Sequence, residues 1–356
     1  MGSGKETLTG MISFESDYIA GAHPALMKRL IETNSEPLSG YGTDRYSGDA
    51  RQKIRDAVGM PDAVVEFIAG GTQTNAVVIS SLLRDWEGVI AAETGHIAVH
   101  EAGAIEYSGH KVLTLPQKEG KIDPETLKRF LSAFFEDGNR EHTVYPGMVY
   151  ISFPTEYGTL YPKKELTALS EICRAYGLIL YLDGARLGFG LASPEADMTL
   201  ADIMRLCDVF SIGGTKIGAL CGEAVVFKKD RAPRHFMNSM KKRGALLAKG
   251  RLTGVQFDAL FTDGLYFEIS RQVIGRAMKL KELFRKRNVP LLIDSPTNQQ
   301  FVILEDAVLA RLKERVSFCF WEKYDESHTV VRFAVGWSTT DEDLRALEDA
   351  LDAITD

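Results

Sequence analysis

Short apolar runs alternate with amphipathic stretches from Val64 to Phe227, and that alternation leaves few folds open to the chain. The runs are Val64–Ile68, Val89–Ala92, GMVYIS, LILYLD, Val209–Ile212 and Ala224–Phe227. Between them, Thr74–Leu83, Lys121–Asn139 and KKELTALSEICRAY carry apolar residues at helical spacing. Pro124 suits a first helical turn, where its missing N–H is no loss, and Gly177 suits a helix stop. Strand, helix, strand in succession predicts a mostly parallel sheet wound through right-handed crossovers. Ligands of such sheets collect beyond the carboxyl ends of the strands. Three polar groups fall there: Thr72, Asp183 and Lys216.

Lys216 lies in CDVFSIGGTKIGALCG, held by glycines in apolar surroundings. Two readings stand. One is a lysine that snorkels to the surface. The other is a partly desolvated amine of lowered pKa, suited to bonding a carbonyl carbon. Upstream, LILYLDGARLGFG adds Asp183 and Arg186. A lysine amine and a carboxylate at successive strand ends are what a pyridoxal phosphate enzyme needs. The lysine carries the cofactor, and the carboxylate keeps the pyridine nitrogen protonated. Gly70, Gly71 and Thr72, between a strand and a helix, add free N–H groups and a positive dipole end suited to a phosphate.

With GGTQTN, HIAVHEAG, YLDGARL and GGTKIGALCGE in this order, the chain resembles the L-threonine aldolase and β-eliminating lyase family from about Met11 to Asp356. The resemblance implies an α/β fold, that of fold-type I pyridoxal phosphate enzymes (aspartate aminotransferase-like). A large, mostly parallel-sheet domain would be followed by a small C-terminal α/β domain. It implies that Gly71, Thr72 and Gln73 form the phosphate cup, and that His96, with Glu101 as its acidic partner, stacks on the pyridine ring. His100 competes for that place. Asp183 and Lys216 keep the roles given above, and Arg186 contacts cofactor and substrate. Arg251, with Lys249, resembles the family's basic residues near the phosphate. Ser16, Arg186 and Arg332 would grip the substrate carboxylate, Arg332 through a bidentate fork. A tyrosine near the active site, often supplied across a dimer interface, matches Tyr46, with Tyr41 as a rival. The histidine that many members carry just after the arginine's strand is missing from VGWSTTDED, so no role is carried over for it.

The length of 356 residues suits more than one core, divided here as an arm (1–20), a large domain (21–250) and a small domain (251–356). The opening MGSGKETLTG reads partly as an expression leader and lacks the layout of a signal peptide. A net charge of −7 argues against a nucleic-acid partner, and no apolar stretch approaches a membrane span. The 4 cysteines lack metal or disulfide spacing, so no metal is expected and a cytoplasmic location is the default.

The expected activity is cleavage of the Cα–Cβ bond of an L-β-hydroxy-α-amino acid of the threonine or allo-threonine type, giving glycine and an aldehyde. The base for the β-hydroxyl is open among His96, a water and the cofactor phosphate. A β-eliminating lyase or an aminotransferase on the same scaffold is the alternative, since all share Lys216, Asp183 and the phosphate cup. A non-catalytic interaction protein is the reading from another class, and the intact Lys216 and Asp183 oppose it. The family implies a homodimer or homotetramer.

Overall fold

The sheet expected from the alternation is present, with one strand reversed. The structure is a computed structural model that describes residues 11–355, so the leader and the first half of the expected arm lie outside the described residues. In chain order the strands are β1 (Ile12–Ser13), β2 (Val64–Ile68), β3 (Glu87–Ala92), β4 (Val112–Leu115), β5 (Tyr145–Ser152), β6 (Ile179–Asp183), β7 (Val209–Gly213) and β8 (Glu223–Phe227). After a helical stretch come β9 (Leu291–Ile293), β10 (Gln299–Glu305), β11 (Val316–Ser317), β12 (Cys319–Lys323) and β13 (His328–Ala334).

The large sheet has the order β2-β8-β7-β6-β5-β3-β4, and β8 runs antiparallel to both its neighbours. The cause is local. Gly214–Gly222, which joins β7 to β8, is shorter than the roughly dozen residues a parallel crossover needs. Side-chain alternation then divides the core between the two faces of the sheet. Leu180, Leu182, Val149, Ile151, Phe210 and Ile212 pack on one face. Tyr181, Tyr150, Met148, Val209 and Val225 pack on the other, under the helix Gly71–Leu82. Asp183 has the parity of Tyr181, so its carboxylate points to that helix.

A four-stranded antiparallel sheet, β12-β13-β10-β9, follows the helix Leu265–Lys286. The chain start is tied to it. β1 pairs in parallel with β11, Phe14 N–H donates to the Ser317 carbonyl at 2.8 Å, and Ala334 N–H donates to the Phe14 carbonyl at 2.8 Å. This brings Ser16 and Asp17 beside β13 and its Arg332.

Several elements differ from expectation. The helix expected from Thr74 begins at Gly71, and the HIAVHEAG motif opens two short helices, His96–Val99 and Ala104–Tyr107. Ala102 (φ 50°) and Gly103 (φ 73°) in the left-handed region separate the two pieces. β11 and β12 were not foreseen, because VSFCFWEK offers two very short runs broken at Phe318.

Candidate active site

Lys216 follows β7 in a single tight turn, Thr215–Ile217, ended by Gly218 at φ 102°. A Cβ on Gly218 would sit 2.9 Å from His23 Cβ, so both the turn and the packing exclude a side chain there. Burial lowers the Lys216 pKa, the Arg186 charge lowers it further, and Asp17, Glu223 and Asp183 oppose both. Among the described residues its amine has no hydrogen-bond or ion-pair partner; it lines a small enclosed cavity with Gly71, Asn75, His96, Glu156, Asp183 and Arg186. The snorkelling alternative does not hold.

Asp183 ends β6 and is buried. Its Oδ2 accepts from Tyr150 Oη at 2.7 Å and from Asn75 Nδ2 at 2.9 Å, and its Oδ1 from Ala185 N–H at 2.9 Å. Burial would push this carboxyl up, but His96, those side-chain bonds and the Lys216 charge outweigh burial and hold it below the ordinary carboxylate range. Asn75 is the hub behind it. It also donates to Glu101 Oε1 at 2.7 Å, and its own Oδ1 accepts from Tyr181 Oη at 2.6 Å. Glu101 in turn meets His96 Nδ1 at 2.8 Å, which fixes the imidazole at the cavity wall. His100 lies behind His96, ring centroids 5.6 Å apart, and lines only the wider outer cavity.

The helix Gly71–Leu82 starts after Gly70 with no side-chain cap, so its first N–H groups are free. A Cβ built on Gly70 or Gly71 would meet nothing within 4 Å, so space lies in front of those groups. Thr72 is exposed there, and Gln73 turns aside to donate to the Arg243 carbonyl at 3.3 Å.

Arg186 forms a bidentate pair with the enclosed Asp17, Nε to Oδ2 at 2.6 Å and Nη2 to Oδ1 at 3.0 Å. Asn298 Nδ2 adds a third bond to Asp17 at 2.9 Å. Arg332 is half-free. Nη1 donates to Gln299 Oε1 at 3.1 Å and Nη2 to the Glu15 carbonyl at 3.3 Å, and among the described residues no carboxylate pairs with it. Its Nε and the Ser16 hydroxyl are buried without partners among the described residues, an arrangement that leaves donors for an anion. Burial and the Arg186 charge together lower the Arg332 pKa. Arg332, Arg186, Lys216, Tyr18, Tyr157 and Trp321 line an outer cavity of about 540 Å³.

Arg251, Lys249, Tyr46 and Tyr41 are not among the residues that line these two cavities. Arg251 opens the helix Arg251–Leu260 and turns its guanidinium to the Glu36 carbonyl at 2.7 Å and the Thr33 carbonyl. Tyr46 is buried, donates to Glu36 Oε1 at 2.8 Å and lies between Arg29 and Arg45, while its rival Tyr41 is exposed. Lys249 is exposed at the surface. Conversely Asp17, Asn75, Tyr150, Glu156 and Glu223 stand at the site unforeseen. Asn75 alone was within reach, since it closes the GGTQTN motif one helical turn after Gly71. Glu223 begins β8 and accepts from Thr215 Oγ1 at 3.0 Å; burial raises its pKa.

Residues 13–308 match the family model described as beta-eliminating lyase. A threonine aldolase of Leishmania major superposes with a TM-score of 0.92 at 41% identity, covering 96% of this chain and 99% of that one. A low specificity L-threonine aldolase of a Pseudomonas species is 29% identical over 94% of this chain and 95% of its own length. Aspartate aminotransferase of Thermus thermophilus, at 14% identity and a TM-score of 0.69 over 97% of this chain and 92% of its own, shares the fold.

Proposed function

The chain belongs to the beta-eliminating lyase family, and from that premise we propose that it cleaves the Cα–Cβ bond of an L-β-hydroxy-α-amino acid. The substrates are of the threonine or allo-threonine kind, and the products are glycine and an aldehyde. The protein is a carbon–carbon lyase. What carries this reading is the convergence of Lys216, Asp183 and His96 on one cavity, in a chain similar along almost its whole length to threonine aldolases.

Pyridoxal 5′-phosphate suits these residues. Lys216, an amine without a hydrogen-bond or ion-pair partner among the described residues, would hold it covalently. Asp183, kept ionised, would hold a proton on the ring nitrogen. The uncapped helix start at Gly71 would take the phosphate, with the Thr72 hydroxyl beside it. When bound, this cofactor supplies a protonated conjugated ring able to accept the electron pair of a bond broken at Cα. Asn75 and Tyr150 keep the Asp183 carboxylate oriented, and Glu101 keeps the His96 ring in place.

The amino acid would enter with its amine towards Lys216 and its carboxylate towards Arg332, Arg186 and Ser16. Arg332 has donors to spare and no internal counter-ion among the described residues, which suits bidentate recognition of a carboxylate. Arg186 is already paired, so its share is a directed positive field rather than a full fork. A division into large and small domains near residue 250, assembly as a homodimer or homotetramer and a cytoplasmic location belong to the same proposal. No described helix is long and apolar enough to cross a membrane.

The test is a product assay of the protein loaded with pyridoxal phosphate. Glycine and acetaldehyde from L-threonine or L-allo-threonine support the reading. Ammonia and a keto acid would instead make it a β-eliminating lyase, and an amino-group exchange would make it an aminotransferase.

A further inference from the structure

Glu156 is the one carboxylate among the described residues that lines both the small cavity of Lys216 and the wide outer cavity of Arg332. It follows β5 and lies at the junction of the two. Its Oε1 accepts the His96 backbone N–H at 2.8 Å and the Ser152 hydroxyl at 2.6 Å. Ser152 Oγ lies 3.3 Å from Tyr150 Oη, which bonds Asp183, so Glu156 shares one hydrogen-bond network with that carboxylate. Its other oxygen, Oε2, accepts no hydrogen bond from another residue of the described chain, and the side chain is partly exposed where the two cavities meet. No ion pair neutralises Glu156 among the described residues, whereas Asp17 and Glu101 are each tied to a basic side chain.

We propose that Glu156 is the proton acceptor for the substrate's β-hydroxyl. The inference rests on the aldolase reading. With the amine at Lys216 and the carboxylate at Arg332, the substituents on Cβ face the passage between the two cavities, where the Glu156 side chain is partly exposed. The step balances within the substrate. The hydroxyl proton passes to Oε2, and the O–H electron pair becomes the second bond of the aldehyde carbonyl. The Cα–Cβ bond breaks, and its pair is left at Cα, which must gain one proton to become glycine. Glu156 returns its proton to solvent and Cα takes one from solvent, so protons balance and no further reactant enters.

The surroundings favour such a role. Burial pushes the Glu156 carboxyl up, partly opposed by the Ser152 bond, the backbone N–H groups and the His96 charge. A carboxylate moved towards neutrality is a better base at physiological pH. The groups that face it are His96, Arg186, Lys216, Tyr150, Tyr157 and Tyr161.

The experiment uses holoenzyme carrying Glu156→Gln, which keeps the size and the acceptor oxygen but cannot take the proton. Three quantities are measured: cleavage of L-allo-threonine, exchange of the glycine α-proton in D2O, and glycine binding by calorimetry. Glycine has no β-hydroxyl, so its α-proton exchange does not call on this base. Cleavage should fall about 10²- to 10⁴-fold while exchange and binding stay within about threefold. Glu156→Asp, which retains a carboxylate, should recover part of the cleavage rate. Equal losses in cleavage and exchange would overturn the proposal, as would unimpaired cleavage by the Gln variant or an Asp variant no better than Gln. A parent enzyme that releases no glycine and aldehyde would instead fail the aldolase reading itself.

Discussion

Gly213 donates its N–H to the Gly184 carbonyl at 2.9 Å, so the loops that carry Lys216 and Asp183 run backbone against backbone. A Cβ on Gly213 would lie 2.6 Å from the Ala185 carbonyl carbon, and one on Gly184 would overlap the Ser211 carbonyl oxygen. Both obstacles are main chain, and no rotamer relieves them. The approach of Asp183 to Lys216 therefore depends on the absence of two methyl groups.

Gly213→Ala and Gly184→Ala should each destabilise the protein by about 1–3 kcal/mol or more, since overpacking here forces strands β6 and β7 apart. Cofactor affinity should fall along with the thermal midpoint. Gly138→Ala, where a Cβ meets nothing within 4 Å, is the control and should leave both unchanged. Thermal unfolding and pyridoxal phosphate titration of the three variants check this.

Lys216→Ala removes the amine that would hold the cofactor. Borohydride treatment of the parent with pyridoxal phosphate should leave a stable adduct on the peptide containing Lys216, and the variant should retain none. Cleavage should drop by more than about 10²-fold, because losing a positioned proton-transfer and bonding group costs at least that much. An adduct on a different lysine would move the site.

Most of the sheet, and the polar groups Asp183 and Lys216 that line one cavity at its strand ends, were legible in the sequence, because both rest on local chemistry. YLDGARL and GGTKIG each place a polar group just past an apolar run, and the glycines that let the backbones approach stand next to it. The substrate end is built from distant segments. Asp17 meets Arg186 only because β1 pairs with β11 and draws the chain start across the site, and nothing near Asp17 in the sequence signals that partner. Glu156 reads as a loop carboxylate until β5 and the helix start at His96 bring Ser152 and a free N–H to it. Arg251 and Tyr46 lie away from the cavities of their own chain, Tyr46 being the residue expected across a dimer interface. Each has the right residue type in a matching motif, but a nearer acceptor, on Thr33 and Glu36 for the first and on Glu36 for the second, takes its donors.

Arg332→Lys keeps the charge and loses the fork. One or two charge-assisted bonds to a carboxylate are at stake, so KM for the amino acid should rise about 10- to 100-fold while kcat changes much less. An amino alcohol lacking the carboxylate should be bound equally poorly by parent and variant. Equal losses of kcat and KM-linked affinity across both compounds would mean that Arg332 supports the Gln299 and Glu15 contacts instead. Steady-state kinetics with the two compounds separates the cases.

Asp17→Asn leaves Arg186 buried without its counter-charge, and breaking a pair enclosed to this degree costs about 3–5 kcal/mol. The same pair sets a pH dependence. Burial would raise the Asp17 carboxyl, but Arg186 and, less strongly, Lys216 and Asn298 outweigh it and bring it down from 3.8 to about 2. Folding thus depresses this pKa, so the ionised carboxylate stabilises the folded state. That stabilisation is complete above about pH 4 and is lost as pH falls through about 2, amounting to about 2 kcal/mol in all. The parent should therefore lose urea resistance steadily over this acid window, beyond the loss due to its other carboxylates. The Asn variant, less stable at pH 7, should show a shallower fall, so that the two curves converge as pH drops. Parallel curves between pH 5 and 2.5 would show that Asp17 titrates alike in the folded and unfolded chain, and that its pairing with Arg186 contributes nothing to stability.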